Sequence, residues 1–101
     1  MASDIETFNP AYGQGVTVSP GTTSASSTLG KGSAAIVVTN LSNTVTAYVR
    51  TSAGASTATA TDYPVLPLSQ VSLSKSRDDD TVSYITASGT GSIHIIPGRG
   101  I

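Results

Sequence analysis

The spacing of turn signals is the feature that most constrains how this chain can fold. Short apolar or alternating segments are separated by glycine, proline, asparagine or aspartate at intervals of about 8–12 residues. No helical periodicity of apolar residues is sustained along the sequence. This spacing predicts an all-β fold, either a β-sandwich or a jelly-roll-like small barrel, with about seven or eight short strands.

The composition supports the same fold class. Serine and threonine account for 31 of the 101 residues, whereas Glu, Gln, Met and Lys are scarce. Helix-favouring residues are therefore few, and threonine and valine favour the pleated surface of a sheet. A chain of this length fits one domain. We predict an N-terminal arm over residues 1–14 and a single β-sandwich domain over residues 15–101.

Two neighbouring segments carry the strongest strand signals. Residues 34–40 form the most apolar run, which is typical of a central strand covered on both faces. Residues 44–50 alternate, with Val45, Ala47 and Val49 on one face, as in a half-buried strand. Because only a short turn separates the two segments, they are predicted to form a hairpin.

The remaining strands are weaker or shorter. Pro64 and Pro67 exclude residues 63–68 from the centre of a sheet and favour an extended crossing segment. An edge strand is predicted near residues 57–61, and the last strand is expected to end at Ile96, before Pro97. Further strands are predicted within 16–18, 22–33, 70–75, 81–87 and 92–96.

Charge and cysteine content exclude several classes of function. The formal net charge is −1, and the five basic residues are dispersed, which argues against nucleic acid as a partner. No apolar run approaches the roughly 20 residues that span a bilayer, and the N-terminus lacks the pattern of a signal peptide. The absence of cysteine excludes disulfides and thiolate metal sites. We therefore expect neither a membrane partner nor a secreted, disulfide-linked module.

The chain offers little catalytic or metal-binding chemistry. His94 is the only histidine, and its neighbours Ile93 and Ile95 point to the opposite face of a strand, so it is predicted to face solvent or an interface. Asp78, Asp79 and Asp80 are consecutive rather than spaced as in a calcium loop. They favour a solvated turn, balanced by nearby Lys75 and Arg77, and their best functional use is contact with a neighbouring subunit.

No arrangement of residues indicates an enzyme. A hydrolytic triad needs a nucleophile, a base and an orienting acid, and no Gly-x-Ser-x-Gly turn occurs. The pairs Gly89-x-Gly91 and Gly98-x-Gly100 are not placed between a strand and a helix, as a phosphate loop requires. We predict no enzymatic activity, no cofactor, no metal and no small-molecule substrate.

Several short motifs spread along the chain point to one class of protein. They are an Asn-Pro step within Phe8-Asn9-Pro10, Val38-Thr39-Asn40 leading into Ala47-Tyr48-Val49-Arg50, the extended segment 62–67, and a Thr-Gly-Ser-Ile-x-Ile strand that closes in Pro97-Gly98-Arg99-Gly100. Together they resemble the small decoration, or cement, proteins on the heads of tailed bacteriophages. The Ser/Thr/Ala-rich stretch at 51–61 departs from that pattern.

The resemblance implies a function and a set of partners. It implies a dimer or trimer that binds the outside of the major capsid protein lattice and stabilises the phage head. The protein would then be made in the host cytoplasm and reside on the capsid surface of the virion. Residues expected to contact a partner are Phe8, Pro10, Tyr12, Tyr63, Arg77, Asp78, Asp79 and Arg99.

A tail, fibre or head–tail joining β-module is the alternative. Tyr12, Tyr48, Tyr63 and Tyr84 motivate it, because aromatic rings can stack on sugars. Tyrosine is also common in sheets and protein interfaces, so packing is the favoured interpretation of all four. The alternative carries glycan binding as the expected activity of such a module.

Overall fold

Two antiparallel sheets make up the fold. The computed structural model describes residues 9–29 and 32–99, and within these ranges it contains nine strands and no helix. The predicted all-β class and β-sandwich are therefore confirmed. The strands are β1 (Asn9–Pro10), β2 (Val16–Val18), β3 (Ala25–Thr28), β4 (Ala35–Asn40), β5 (Ala47–Ser52), β6 (Tyr63–Val65), β7 (Gln70–Ser74), β8 (Thr81–Thr86) and β9 (Ile93–Arg99).

The order of strands places the four longest ones, β4, β5, β8 and β9, at the sheet centres. In the first sheet β9 and β4 are adjacent, β7 flanks β4, and β1 and β2 pair one after the other with the far side of β9. In the second sheet the order is β3, β8, β5, β6. Among the described residues no strand pairs across the two sheets, so the architecture is a sandwich rather than a closed barrel.

Alternate residues of the central strands build the core between the sheets. Ile36 and Val38 of β4 and Ile93 and Ile95 of β9 are fully buried, as β-branched residues on an inward face should be. The second sheet contributes five buried residues, which are Ala47, Val49, Val65, Val82 and Tyr84. The prediction that residues 34–40 form a strand covered on both faces is confirmed, because only Thr39 within β4 is partly exposed.

The predicted hairpin between residues 34–40 and 44–50 is wrong. Strand β4 pairs with β7 and β9, whereas β5 pairs with β6 and β8. The chain crosses from one sheet to the other between Asn40 and Ala47. Alternation predicts which side chains face a core, but two strands facing each other across the core satisfy it as well as two paired strands do.

Two further predictions about strands are corrected. Residues 57–61 form a loop rather than an edge strand. Strand β9 continues past Ile96 to Arg99, because Pro97 is fully buried opposite Ile36 and its carbonyl accepts a hydrogen bond from the Ala11 amide at 2.9 Å. Proline lacks an N–H donor, but its carbonyl still supports the sheet at this position.

The second half of the predicted N-terminal arm is attached to the domain. Asn9 and Pro10 pair with Arg99 and Gly98 at the edge of the first sheet. Residues 1–8 lie outside the described residues, and the boundary at residue 14 stays a prediction. In the part of the chain that is described, no helix is long and apolar enough to cross a membrane.

Candidate functional site

Four of the residues predicted to contact a partner, Arg77, Asp78, Asp79 and Arg99, lie at one end of the sandwich. Arg77 and Asp78 are exposed in the turn after β7, and Arg99 is exposed at the end of β9. The segment 32–34 connects the turn to the end of β9. Gly32 donates a backbone hydrogen bond to the carbonyl of Arg77, and Ala34 donates one to Gly98, each at 3.1 Å. This region, formed by the 76–80 turn and the end of β9, is called the charged end below.

Two acids of the charged end have structural partners within the chain. The Asp79 carboxylate accepts a hydrogen bond from the Thr51 hydroxyl at 3.3 Å. The Asp80 carboxylate accepts bonds from the Gly54 amide and the Thr81 hydroxyl, both at 3.0 Å. These bonds tie the turn to the end of β5 and to the loop that follows it. A contact between Asp79 and a partner stays a prediction.

The side chain of Lys75 holds the charged end together by hydrogen bonds to backbone carbonyls. Its buried ammonium donates to the carbonyls of Ser33 at 2.8 Å and Asp79 at 2.6 Å, with a longer bond to Ser76 at 3.4 Å. Burial lowers the pKa of Lys75, while the nearby carboxylates of Asp79 and Asp80 act in the opposite direction. Lys75 therefore does not extend into solvent as a surface lysine would.

Of the other predicted contact residues, Pro10 lies beside the charged end, where it pairs with Gly98 of β9, and the rest lie elsewhere or outside the described residues. Pro10 is half-buried in β1, and Tyr12 is 83% exposed in the loop that joins β1 to β2. Tyr63 is 50% exposed on β6, an edge strand of the second sheet. Phe8 lies outside the described residues. The charged end thus gathers only part of the predicted contact set.

The four tyrosines do not form a common stacking platform. The Tyr84 ring is buried in the core and its hydroxyl lies 2.8 Å from the Ser27 hydroxyl. Tyr48 lies on β5 with its side chain directed to the opposite face of the second sheet, because it alternates with the inward Val49. Tyr12 lies in the loop between β1 and β2 of the first sheet, whereas Tyr63 lies on β6 of the second. The tyrosine argument for glycan binding therefore gains no support from their placement.

Three exposed leucines define a second surface that the sequence analysis missed. Leu41, Leu66 and Leu68 are 50%, 60% and 71% exposed. The backbone amide of Leu68 donates to the carbonyl of Ser42 at 3.0 Å, which joins the turn after β6 to the residue that follows Leu41. We call this region, defined by the three leucines, the leucine end. The sequence signal that could have revealed this surface was the presence of large apolar residues outside the predicted strands. Leu41 lies in a predicted turn, and Leu66 and Leu68 lie in the predicted extended segment 63–68.

Leu68 has a backbone conformation that leucine rarely adopts. Its φ is +55°, and it is the only non-glycine residue with a positive φ in the described parts of the chain. It follows Pro67 in a turn closed by a hydrogen bond of 3.2 Å from the Ser69 amide to the Leu66 carbonyl. Proline in the second position and a positive φ in the third indicate a type II turn, in which glycine or asparagine is preferred. Leucine at this position carries local strain.

The loop between β5 and β6 covers the outward face of the second sheet around Ser83. Ser83 of β8 is fully buried and donates a hydrogen bond to the carbonyl of Ser56 at 2.8 Å. Ala58 is also buried, and its amide donates to the Ser24 hydroxyl at 2.7 Å. Small side chains at these positions allow the loop backbone to approach the sheet closely. The Ser/Thr/Ala-rich stretch at 51–61 therefore has a packing role.

The environment of His94 offers no metal-binding cluster. His94 lies between Thr17 and Thr39 on the outward face of the first sheet and is half-buried. A Cβ atom added to Gly15 would lie 2.8 Å from its Nε2, so the glycine backbone lies against the ring. Among residues 9–29 and 32–99, no three His, Cys, Asp or Glu side chains are grouped to hold a metal ion.

Comparison with known proteins adds no relative to this description. No family model matches the chain, and no curated protein matches it. Any functional assignment consequently depends on the surfaces described above and on the sequence motifs.

Proposed function

We propose that this protein is a capsid decoration protein, which binds the outside of the major capsid lattice of a tailed bacteriophage and stabilises the head. The observation that carries the proposal is the leucine end, where three large apolar side chains are exposed on a small sandwich of low charge. The sequence resemblance supplies the class of partner. The leucine end supplies a surface for it.

The leucine end has two properties of an interaction site. Single exposed leucines are common on protein surfaces, but Leu66 and Leu68 flank one proline in one turn, and Leu41 precedes the residue that is bonded to that turn. In addition, the strained backbone of Leu68 directs a large side chain into solvent where glycine would be more stable. Strain that brings no packing gain within the domain supports a role in binding.

A repetitive lattice suits a surface of this size. Three leucines provide a modest apolar area, so one copy alone binds weakly. A dimer or trimer on a capsid engages several subunits at once, and linked contacts raise the overall affinity without new contacts. Because the protein binds the closed lattice and not separated subunits, its binding shifts the equilibrium toward the intact shell.

The charged end is proposed to contact a neighbouring subunit. Arg77, Asp78 and Arg99 are exposed there, while Lys75 and the hydrogen bonds of Asp79 hold the turn in place. A preformed turn loses less conformational entropy on docking than a mobile one does. Charged residues at the margin of an interface affect orientation and association rate more than affinity.

The proposal is tested with expanded phage heads that lack the protein. Purified protein is mixed with these heads, and we expect it to co-sediment with them and to raise the temperature at which they break open. Leu41→Ser and Leu66→Ser should each weaken binding by about tenfold, since each removes an apolar side chain that docking on the lattice would bury. Thr57→Ser, an exposed change in the loop between β5 and β6 that belongs to neither end, is the control and should bind normally.

The possible outcomes test the decoration function and the leucine end separately. Absence of co-sedimentation with any expanded head would remove the decoration function. Normal binding by both leucine variants, with co-sedimentation of the unmodified protein, would keep the function and reject the leucine end as its docking surface.

A further inference from the structure

Strand β7 presents an open edge to solvent. Within the described residues it pairs only with β4. On either side of β7, the backbone N–H of Lys75 donates to Ala34, and the N–H of Asn40 donates to Ser69. Because backbone groups alternate in direction along a strand, the odd-numbered residues Val71 and Leu73 also direct their backbone groups toward β4. The backbone groups of Gln70, Ser72 and Ser74 consequently point away from the sheet.

The other edges are blocked or shortened by features that usually prevent strand addition. Strand β6 carries Pro64, which has no N–H donor. The edge formed by β1 and β2 is interrupted by residues 11–15. Along β3, the Ser26 hydroxyl lies next to the 53–62 loop, with its bond to the Ser56 carbonyl at 3.4 Å. Each of these features opposes pairing with another chain.

Strand β7 has none of these protections. Its residues, Gln70–Ser74, include no proline and no charge. Lysine is a common protective residue at sheet edges, but the ammonium of the adjacent Lys75 is bound to the carbonyls of Ser33 and Asp79. An uncharged open edge can therefore be approached by a second uncharged strand without electrostatic repulsion.

We propose that β7 pairs with β7 of a second copy of this chain, antiparallel about a two-fold axis at Ser72. In this register Ser72 faces Ser72 of the other copy, and Gln70 faces Ser74. All three outward residues then occupy hydrogen-bonded positions, and each facing pair exchanges two backbone bonds. Closed two-fold pairing of the same surface is the commonest arrangement of homo-oligomers.

The core face of β7 favours the same register. Val71 and Leu73 are only partly buried and pack against the core. In the proposed pair, Val71 lies opposite Leu73 of the other copy, so apolar side chains meet apolar side chains on that face. The pairing involves one short strand, which predicts a weak dimer. This inference does not depend on the decoration function.

The test uses the full chain in sedimentation velocity experiments over a range of concentrations up to about 1 mM, which detects even weak association. Ser72→Pro removes the central outward N–H without affecting a bond to β4, and should weaken dimerisation at least about tenfold. Thr28→Pro is the matched control. Its N–H also points outward from an edge strand, because Leu29 bonds to Asp80, and it should leave dimerisation unchanged.

A charge-exchange experiment tests the register. Because Ser72 faces its own copy, Ser72→Lys and Ser72→Glu should each weaken the dimer, by about threefold to fivefold. An equimolar mixture of the two variants should recover dimerisation, since opposite charges then face each other. Circular dichroism of each variant checks that it is folded.

Three results would overturn the inference. They are a monomer at every concentration, a dimer unaffected by folded Ser72→Lys and Ser72→Glu, and a mixture that dimerises no better than either variant alone. Co-sedimentation with phage heads is measured separately and does not require pairing through β7, so failure of the dimer and failure of the decoration function are distinguishable.

Discussion

The side-chain amide of Asn40 donates a hydrogen bond of 2.9 Å to the carbonyl of Val65, and this bond joins the end of β4 to the edge strand of the opposite sheet. The same amide donates to the Val45 carbonyl at 2.8 Å. Its oxygen accepts the Ser42 amide at 2.9 Å. Asn40 is 1% exposed, so these bonds satisfy a buried polar group at the point where the chain changes sheets.

Asn40→Ala should lower the free energy of unfolding by about 2–3 kcal/mol, because it leaves two carbonyls and one amide without their partner. Asn40→Asp should be more destabilising, since a carboxylate would face both carbonyls and could not donate. Urea denaturation measures both changes. Asn43→Ala, an exposed substitution in the same turn, serves as the control and should change stability by less than about 0.5 kcal/mol. An equal effect of the two alanine variants would contradict this role of Asn40.

Leu68→Asn should raise the free energy of unfolding by about 1 kcal/mol, because asparagine tolerates a positive φ better than leucine does. The same variant should bind phage heads more weakly. Leu66→Asn is the matched control, since it removes an equally large exposed side chain from a position without positive φ. It should weaken binding but leave thermal stability unimproved. A stabilised Leu68→Asn variant that binds normally would show that the strain does not serve docking.

Lys75→Met should lower the free energy of unfolding at neutral pH by about 1–2 kcal/mol, because three carbonyls lose their ammonium partner. Arg77→Met changes an exposed cation two residues away and should have an effect below about 0.5 kcal/mol. Chemical denaturation of both variants provides the comparison. Equal stabilities would mean that the Lys75 contacts contribute no net stability.

The stability of the unmodified protein relative to Lys75→Met should increase as alkaline pH rises toward 10.5 and level off above it. Burial lowers the folded-state pKa of Lys75 below this ordinary value, so within that window the unfolded chain binds more protons. The destabilising cost of the buried charge is present in full below the folded-state pKa and is lost above 10.5. Parallel urea titrations of both proteins across this range measure the difference, and a difference that falls with pH would contradict the assignment.

Ala58→Leu should destabilise the domain by about 1–3 kcal/mol, because Ala58 is a buried residue of the 53–62 loop and a larger side chain would force the loop away from the second sheet. Ala60→Leu is the matched control, since Ala60 lies exposed in the same loop. Thermal unfolding gives the stability change, and limited proteolysis detects loosening of the loop. Protection of the loop in a stable Ala58→Leu variant would contradict close packing at this site.

Strand locations were predictable because alternation and turn residues are local signals. Val37 and Val38 in a short apolar run marked β4, and alternation around Ala47 and Val49 marked β5. Their pairing was not predictable, because an inward face looks the same whether the neighbouring strand lies in the same sheet or across the core. The positions of Arg77 and Asp78 in an exposed turn followed from their sequence, whereas the hydrogen bond that joins Ser42 to the 66–69 turn depended on a contact between distant segments.

The amino-acid sequence by itself determined the all-β class, the approximate strands and the dispersed, low charge, since these depend on residue type and short-range spacing. Only the tertiary structure decided that β4 and β5 belong to different sheets, that Lys75 turns inward, and that β7 has no second pairing strand among residues 9–29 and 32–99. The physical reason is that pairing and burial are set by contacts between segments far apart in the chain. A short window of residues carries no information about which distant backbone will satisfy its hydrogen bonds.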